Sequence, residues 1–592
     1  VPMSRRYYEE EMRYLQEAAK VFAEAHPEQA RLLDIDSVSD RDPYVERLFE
    51  GFAFLSGRVH ERLDNEMPEY TESLFQLLHP HFLKPVPALS IVELSPEPEL
   101  VQETTVLERG LEVRSKPVGP ENARCRFTTT QDVRVQPIRL KRASLRYPGN
   151  NTSSVRLRFA LDRGVSYSDL DLSFLRLYFQ ADASTASTMH LFCTRRVSRV
   201  TASTPDEEHS IALRGQRWVQ PAGLADDEGL LPCGDNTFAG FQLLQEYLCF
   251  RRRFWFVDLV GLDRLDVPDD AEAFEVEVFF DRPYPEERRF ETENVRLHCT
   301  PVVNIFEMDA EPIHVDGEVS EHRVVPSLRY QKSIETYDVQ KVVGVQDATG
   351  KRHEYEPFFS FRHDRQNGNA NGKQGRFYTT SRRVGPDDRR EVYLSLSDAQ
   401  LRALSDVPGE TLSLEVRCTN GTLPRETVKK GMINRLAPDV PNIVEPENLT
   451  QPTLIRHPPS QGEEDFFWKL ISHWSMNYQS VASKEALSGL LELYDWTDTG
   501  ANRRRLSGVR EVSREPKEVI EHGAVLRGSE VTIEVEEGHF ADEGDLCLFG
   551  LVMSRFFSMY STINSFVHLS IVTSPSEKRY EWTPNRGAHP NL

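Results

Sequence analysis

Apolar residues recur at three- and four-residue steps over roughly the first eighty positions and at alternate positions across much of the rest, so the chain reads as helix first and strand afterwards, with the change near Val86. Asp42-Pro43 is a helix start: a capping side chain is followed by a ring whose φ is already helical. From there Val45, Leu48, Phe49, Phe52, Leu55, Val59 and Leu63 share one face of a helix ending near Leu63, and Glu46, Arg47, Glu50, Arg58 and Glu61 share the other. Phe54 breaks the pattern by projecting into the charged face. Either another part of the same chain covers it, or it meets a partner subunit. Gly51, Ala53, Ser56 and Gly57 would let a neighbouring helix approach closely in both cases.

The flanking segments share this surplus of apolar surface. Arg5–Ala25 predicts a helix with one stripe of Tyr8, Met12, Leu15, Ala19 and Phe22, and a second of Tyr7, Tyr14 and Val21. That arc is wider than a surface helix needs, which predicts packing against helices of other chains. Tyr70, Leu74, Leu77 and Leu78 predict a short amphipathic helix, stopped by the run His79 to Pro87, whose three prolines predict a rigid extended strap. The candidate subunit-contact residues are therefore Tyr7, Tyr14, Val21, Phe49, Phe52, Phe54, Leu55, Leu74, Leu77 and Phe82.

Beyond Val86, alternating runs bounded by Gly, Pro, Asn and Asp predict strands at Cys125–Thr130, Ser154–Ala160, Leu175–Gln180, Phe274–Phe280, Val339–Val345, Glu391–Leu396 and Thr411–Cys418. Phe241–Leu248 is the clearest helical window among them. Further on, Pro438–Pro459 reads as a linker or strap, Glu464–Trp474, Lys484–Tyr494 and Glu543–Tyr560 as helices, Val519–Leu526 and Glu530–Glu536 as strands, and the tail beyond Ser576 as disordered. The predicted fold class is α+β and multidomain: a helical segment over 1–86, sandwich- or barrel-like β domains over 87–300 and 301–436, and a mixed α+β part over 437–592.

Charge and chemistry narrow the function. A net charge of −22 opposes phosphate and anionic lipid, so nucleic acid is not an expected partner, and no window is apolar enough to insert in a membrane. Two basic runs, Arg251-Arg252-Arg253 and Arg503-Arg504-Arg505, read as ordinary surface or as contacts for an acidic subunit. Seven cysteines without a C-x-x-C pair signal neither a disulfide framework nor a zinc site. His60-Glu61 and His353-Glu354 lack the second histidine of H-E-x-x-H, and the loop from Gly368 to Gln374 is one residue short of a phosphate loop and offers Gln where a hydroxyl is needed. His79 and His81 lack a third ligand nearby. No catalytic residue, metal or cofactor is predicted. The alternatives are a cytoplasmic β-rich enzyme of glycosidase type and a carbohydrate-binding protein.

The stretch Asp42-Pro43, Val45 to Leu48, Glu50 to Leu55, Arg58, Leu63-Asp64, Pro68-Glu69, Pro80 to Pro85 and Pro87 resembles the TssF (VasA/ImpG) family of type VI secretion baseplate proteins. Phe241–Tyr247 with Phe254-Trp255-Phe256, Pro301 to Glu307, Thr336 to Val339, Cys418-Thr419-Asn420 with Leu423-Pro424, and Ser561–Val567 extend the resemblance over about residues 7–570, with Arg251 standing where the family pattern has proline. The resemblance implies a non-enzymatic wedge subunit whose N-terminal helices join an inter-subunit bundle with TssG and a second TssF copy. It also implies contacts with TssK, TssE, the VgrG spike and the sheath proteins TssB and TssC, in the cytoplasm and docked at the inner membrane through the baseplate.

Overall fold

The computed structural model describes residues 80–458 and 482–587 apart from short stretches (99, 150, 233–237, 269–270, 316–318, 348, 359–375, 386–388, 399–408, 439–441, 498, 522–523 and 563–564), and in the first part of the chain residues 8, 12–15, 18–19, 47–56 and 75. The chain forms two compact units, Val1–Leu83 and Lys84–Leu592. The fold class is α+β, with strands dominating the larger unit.

In the first unit the described residues 8, 12–15, 18–19 and 47–56 are helical, as the periodicity predicts. The expected helix Glu464–Trp474 and the loop from Gly368 to Gln374 lie outside the described residues. The expected extended strap is instead a 3-10 turn at Pro80–Leu83, followed by a lone bridge from Val86 to Arg456.

Every alternating run named above forms a strand of the larger unit. Ala273–Phe280 shows why: Phe274, Val276, Val278 and Phe280 are buried while Glu275, Glu277 and Phe279 are half-buried on the opposite face. It lies at the centre of a five-stranded sheet ordered Ser210–Arg214, Val197–Ser203, Ala273–Phe280, Thr152–Leu161, Ile138–Gly149. A six-stranded sheet is ordered Ile433–Leu436, Glu112–Val118, Ala123–Thr129, Cys299–Val303, Leu89–Pro96, Val444–Asn448. Its strands come from three of the segments expected to be separate domains, so the boundaries at 300 and 436 cut through one sheet. The supposed linker around Val444–Asn448 is its edge strand. An eight-stranded sheet holds Glu335–Gln346, Arg376–Val384, Arg390–Asp398 and Glu410–Thr419 among its members.

Buried amides join these two sheets. Asn304 and Asn420 are 0% and 1% exposed. The Asn420 backbone N–H donates to Asn304 Oδ1 at 2.7 Å, and Asn304 Nδ2 donates to Asn420 Oδ1 at 2.8 Å and to the Arg126 carbonyl at 2.6 Å. Asn420 Nδ2 donates to the Ser333 carbonyl at 2.9 Å. Both residues belong to segments that carry the family resemblance, Pro301 to Glu307 and Cys418-Thr419-Asn420. Their amides satisfy backbone groups that strand pairing leaves over where the chain passes between sheets.

The C-terminal part is a crossover. Ala524–Glu536 and Ser565–Ser574 run parallel, so the chain must return between them, and helix Glu543–Tyr560 makes that return. Lys484–Tyr494 has the expected bounds and Ser483 caps it by accepting from the Ala486 N–H. The expected strand Val519–Leu526 straddles the turn of a long hairpin formed by Val509–Glu521 and Ala524–Glu536. The tail is also corrected: Arg579–Glu581 and Asn585–Arg586 pair with Ser565–Ser574, and the Trp582 ring lies where a Cβ on Gly550 would stand. One buried helix, Ala183–Arg195, gave no periodic signal. Its Ser and Thr hydroxyls fold onto its own carbonyls, Thr188 to Ser184 at 2.8 Å and Thr194 to His190 at 2.8 Å, so these hydroxyls are buried with their hydrogen bonds made locally.

Candidate assembly surface

The helix spanning 47–56 presents its apolar stripe outward. Leu48, Phe52 and Leu55, one turn apart in succession, are 71%, 62% and 63% exposed, whereas Ala53 is fully buried and Phe49 and Ser56 are half-buried. The stripe that supplies the candidate contacts Phe52 and Leu55 is thus outside, and the narrower side carrying Ala53 is the one turned in. A small side chain seats a helix closely against its neighbours and leaves the bulky residues around the rest of its circumference. Phe54 is exposed as well, at 53%, and a Cβ built on Gly51 meets nothing. Fully burying one Phe or Leu side chain is worth about 1.5–3 kcal/mol, so this cluster holds a large unrealised driving force for association.

The first helix divides the same way. Tyr8, Met12 and Leu15 are half-buried and Ala19 is buried, so its first stripe faces inward, while Tyr14 of the second stripe is 67% exposed. Tyr7, Val21, Leu74 and Leu77 lie outside the described residues. Phe82 must be withdrawn from the contact set: it is 1% exposed and its ring leans on His81 with centroids 4.6 Å apart, so its apolar area is already spent within this chain.

The basic runs are corrected in part, since Arg503 and Arg504 are exposed as ordinary surface residues while other members turn inward. Arg251 and Arg505, one from each run, converge on Asp545, whose side chain is 3% exposed. Arg505 Nε donates to Asp545 Oδ2 at 2.8 Å, Arg251 pairs with Oδ1, and the Ala541 N–H donates at 3.1 Å. Burial alone would raise the Asp545 carboxyl, but the two guanidiniums and the amide outweigh it and hold the group below the usual aspartate range. Arg253 is equally internal and pairs with the fully buried Glu246, which also accepts from the Leu230 N–H at 2.9 Å and from Gln242 Nε2 at 2.8 Å. Arg251, which departs from the family pattern, therefore ties a 3-10 turn to helix Glu543–Tyr560.

A buried polar cluster that the sequence reading missed lies in the eight-stranded sheet. Glu410, 1% exposed, accepts from Tyr355 Oη and Arg376 Nη1, each at 3.1 Å, and lies 2.6 Å from His353 Nε2. A Cβ on Gly344 would fall inside the Glu410 carboxylate, so this glycine makes room for the acid. These groups are committed to one another across neighbouring strands. Among the described residues no group of three or more His, Cys, Asp or Glu is placed to hold a metal. The described cysteines are free thiols, and Cys233 lies outside the described residues. No described helix is long and apolar enough to cross a membrane.

Comparison with known proteins adds to this geometry. The family model described as Type VI secretion system, TssF matches residues 2–589. The Type VI secretion system component TssF1 of Pseudomonas aeruginosa is 29% identical, with 99% of each chain covered. A chain of the TssK-TssF-TssG baseplate subcomplex superposes with a TM-score of 0.81 at 33% identity, covering 93% of this chain and 99% of that one. A chain of the type VI baseplate complex gives 0.64 at 32% identity, covering 99% and 100%.

Proposed function

The chain belongs to the TssF family of the type VI secretion system, and from that premise we propose that it acts as a structural wedge subunit of the baseplate through the outward apolar face of its N-terminal helices. One observation carries this reading: Leu48, Phe52, Phe54 and Leu55 are all more than half exposed on a helix whose small residue faces in. Water-facing aromatic and aliphatic side chains at this density mark a surface made to be covered by another subunit. The subcomplex chain that this one resembles is solved with TssK and TssG. The partners proposed here are a TssG-like subunit and a second copy of this chain at the helices, and a TssK-like subunit on the wedge. TssE, the VgrG spike and the sheath proteins TssB and TssC would be met as the wedge closes around the spike, with the assembly docked at the inner membrane. Within it the chain works through interface free energies, favouring one ring arrangement before firing and another after.

Co-expression tests the reading. Made alone, the chain self-associates or aggregates; made with the TssG-like subunit of the same secretion system, it elutes as a defined heteromeric complex. A monodisperse monomer unchanged by that subunit overturns the proposal.

A further inference from the structure

The five-stranded sheet of the larger unit has one face in the core and one in water. Leu157, Phe159, Val200, Val276 and Val278 line the buried face. On the water face the register sets Arg142 opposite Arg158, Arg158 opposite Glu275, and Glu275 opposite Ser203. The next row is Ser144, Arg156, Glu277, Thr201 and Ala212; the third is Arg146, Ser154, Phe279, Arg199 and Arg214. Six arginines from four strands thus share a surface with two strand glutamates. They lie far apart in the sequence, and only the strand register gathers them.

The two glutamates are already occupied. Arg156 reaches Glu275 at 3.1 Å and Glu277 at 2.8 Å, with Glu207 of a neighbouring loop at 3.7 Å, and Arg158 stands 3.8 Å from Glu275. Arg142, Arg146, Arg199 and Arg214 are exposed, and among the described residues none has a carboxylate within ion-pair distance; Arg199 only stacks over Phe279 at 3.9 Å. Arg142 directly opposite Arg158 is a repulsive cross-strand pair that the fold itself does not use. In a chain of net charge −22, four arginines without carboxylate partners on one sheet face stand out, although Asp206, Glu208 and Glu272 line the same cavity as Arg142 and Arg158.

We infer that this sheet face docks an acidic protein segment, whose carboxylates pair with Arg142, Arg146, Arg199 and Arg214. The arginine fork receives carboxylates bidentately, and the interleaved Glu275 and Glu277 suit a partner of mixed charge better than a continuous phosphate backbone. The inference does not depend on family membership, and its failure would leave the helix-mediated assembly intact.

The test uses the full-length chain and a fluorescent decaglutamate peptide as probe. Removing four exposed pairs worth a few-fold each (R142S, R146S, R199S and R214S together) weakens binding by about tenfold or more. A control that removes the same charge elsewhere on the surface (R163S, K351S, R435S and K578S) stays within about twofold of the parent. Should the quadruple variant melt early, R142S alone decides, because it relieves a repulsion and still costs about two- to threefold in binding. Equal loss in both quadruple variants, or no loss in either, overturns the inference. So does a duplex oligonucleotide that displaces the peptide at lower concentration through the same four arginines, since it would assign the face to phosphate.

Discussion

The larger unit buries the Asp545 carboxylate against two guanidiniums; the N-terminal helix at 47–56 leaves bulky apolar groups exposed. Around Asp545 two arginines and a backbone amide converge on one buried carboxylate, and Asn304 with Asn420 leaves few loose polar atoms where two sheets meet. On the helix at 47–56 Leu48, Phe52, Phe54 and Leu55 are more than half in water while an alanine is buried. On the proposed reading, one region is complete within its own chain and the other is completed by a neighbour. Stability and assembly are therefore written into different residues and can be broken separately.

The largest effect should come from Asp545→Ala, which strands Arg251 and Arg505 without their shared counter-charge. Removing one partner of a buried ionic group costs about 3–5 kcal/mol, to be read as a drop in the denaturant midpoint of the co-expressed protein. Acid should mimic the variant. The folded-state pKa of Asp545 is depressed, so its contribution is fully present above the ordinary aspartate pKa of about 4 and is lost as pH falls through the lower folded value. The parent and Asp545→Asn should therefore converge in stability on acidification below about pH 4 and separate above it. A constant gap across that range would show that Asp545 acts by packing, not by charge.

Asn420→Ala should come next. It leaves Asn304, the Arg126 N–H and the Ser333 carbonyl short of partners in a dry site, for about 2–4 kcal/mol by the same measurement. A loss well under 1 kcal/mol would mean water takes the place of the amide and the two sheets are not joined there.

These contrasts also explain what could be read from the chain beforehand. Alternation located the strands, because a half-buried sheet imposes a period of two on its residues, and Glu543–Tyr560 and Lys484–Tyr494 announced themselves through their apolar residues at helical spacing. Helix Ala183–Arg195 stayed hidden because its hydroxyls hydrogen-bond to its own backbone, so burial needed no apolar stripe. The basic runs misled because adjacency in sequence says nothing about where a guanidinium ends: Arg251, Arg253 and Arg505 turned inward, and the exposed arginine face was assembled from four strands that only the sheet register brings together. The domain boundaries at 300 and 436 failed for the same reason, since the six-stranded sheet recruits strands more than three hundred positions apart. For the proposed assembly surface, the excess of apolar residues was plain in the sequence, but which side of the helix at 47–56 is buried depends on where Ala53 seats it.

The smallest effect on stability, and the sharpest on assembly, belongs to Phe52→Glu and Phe54→Glu. Both rings are more than half exposed, so replacing either leaves the unfolding midpoint within about 0.5 kcal/mol of the parent. In co-expression with the TssG-like subunit the same changes place a carboxylate where a dry contact is expected, and recovery of the heteromeric complex should fall by an order of magnitude or more. The two positions also discriminate between readings of the helix. Phe52 belongs to the apolar stripe with Leu48 and Leu55, and Phe54 stands on the side that carries the charges. If only Phe52→Glu disrupts the complex, one partner helix lies along the stripe. If both do, partners embrace the helix from two sides, as a bundle of more than two helices requires. Unfolding of the larger unit by either substitution would show that these rings belong to its core after all, and the separation between the two regions would fail.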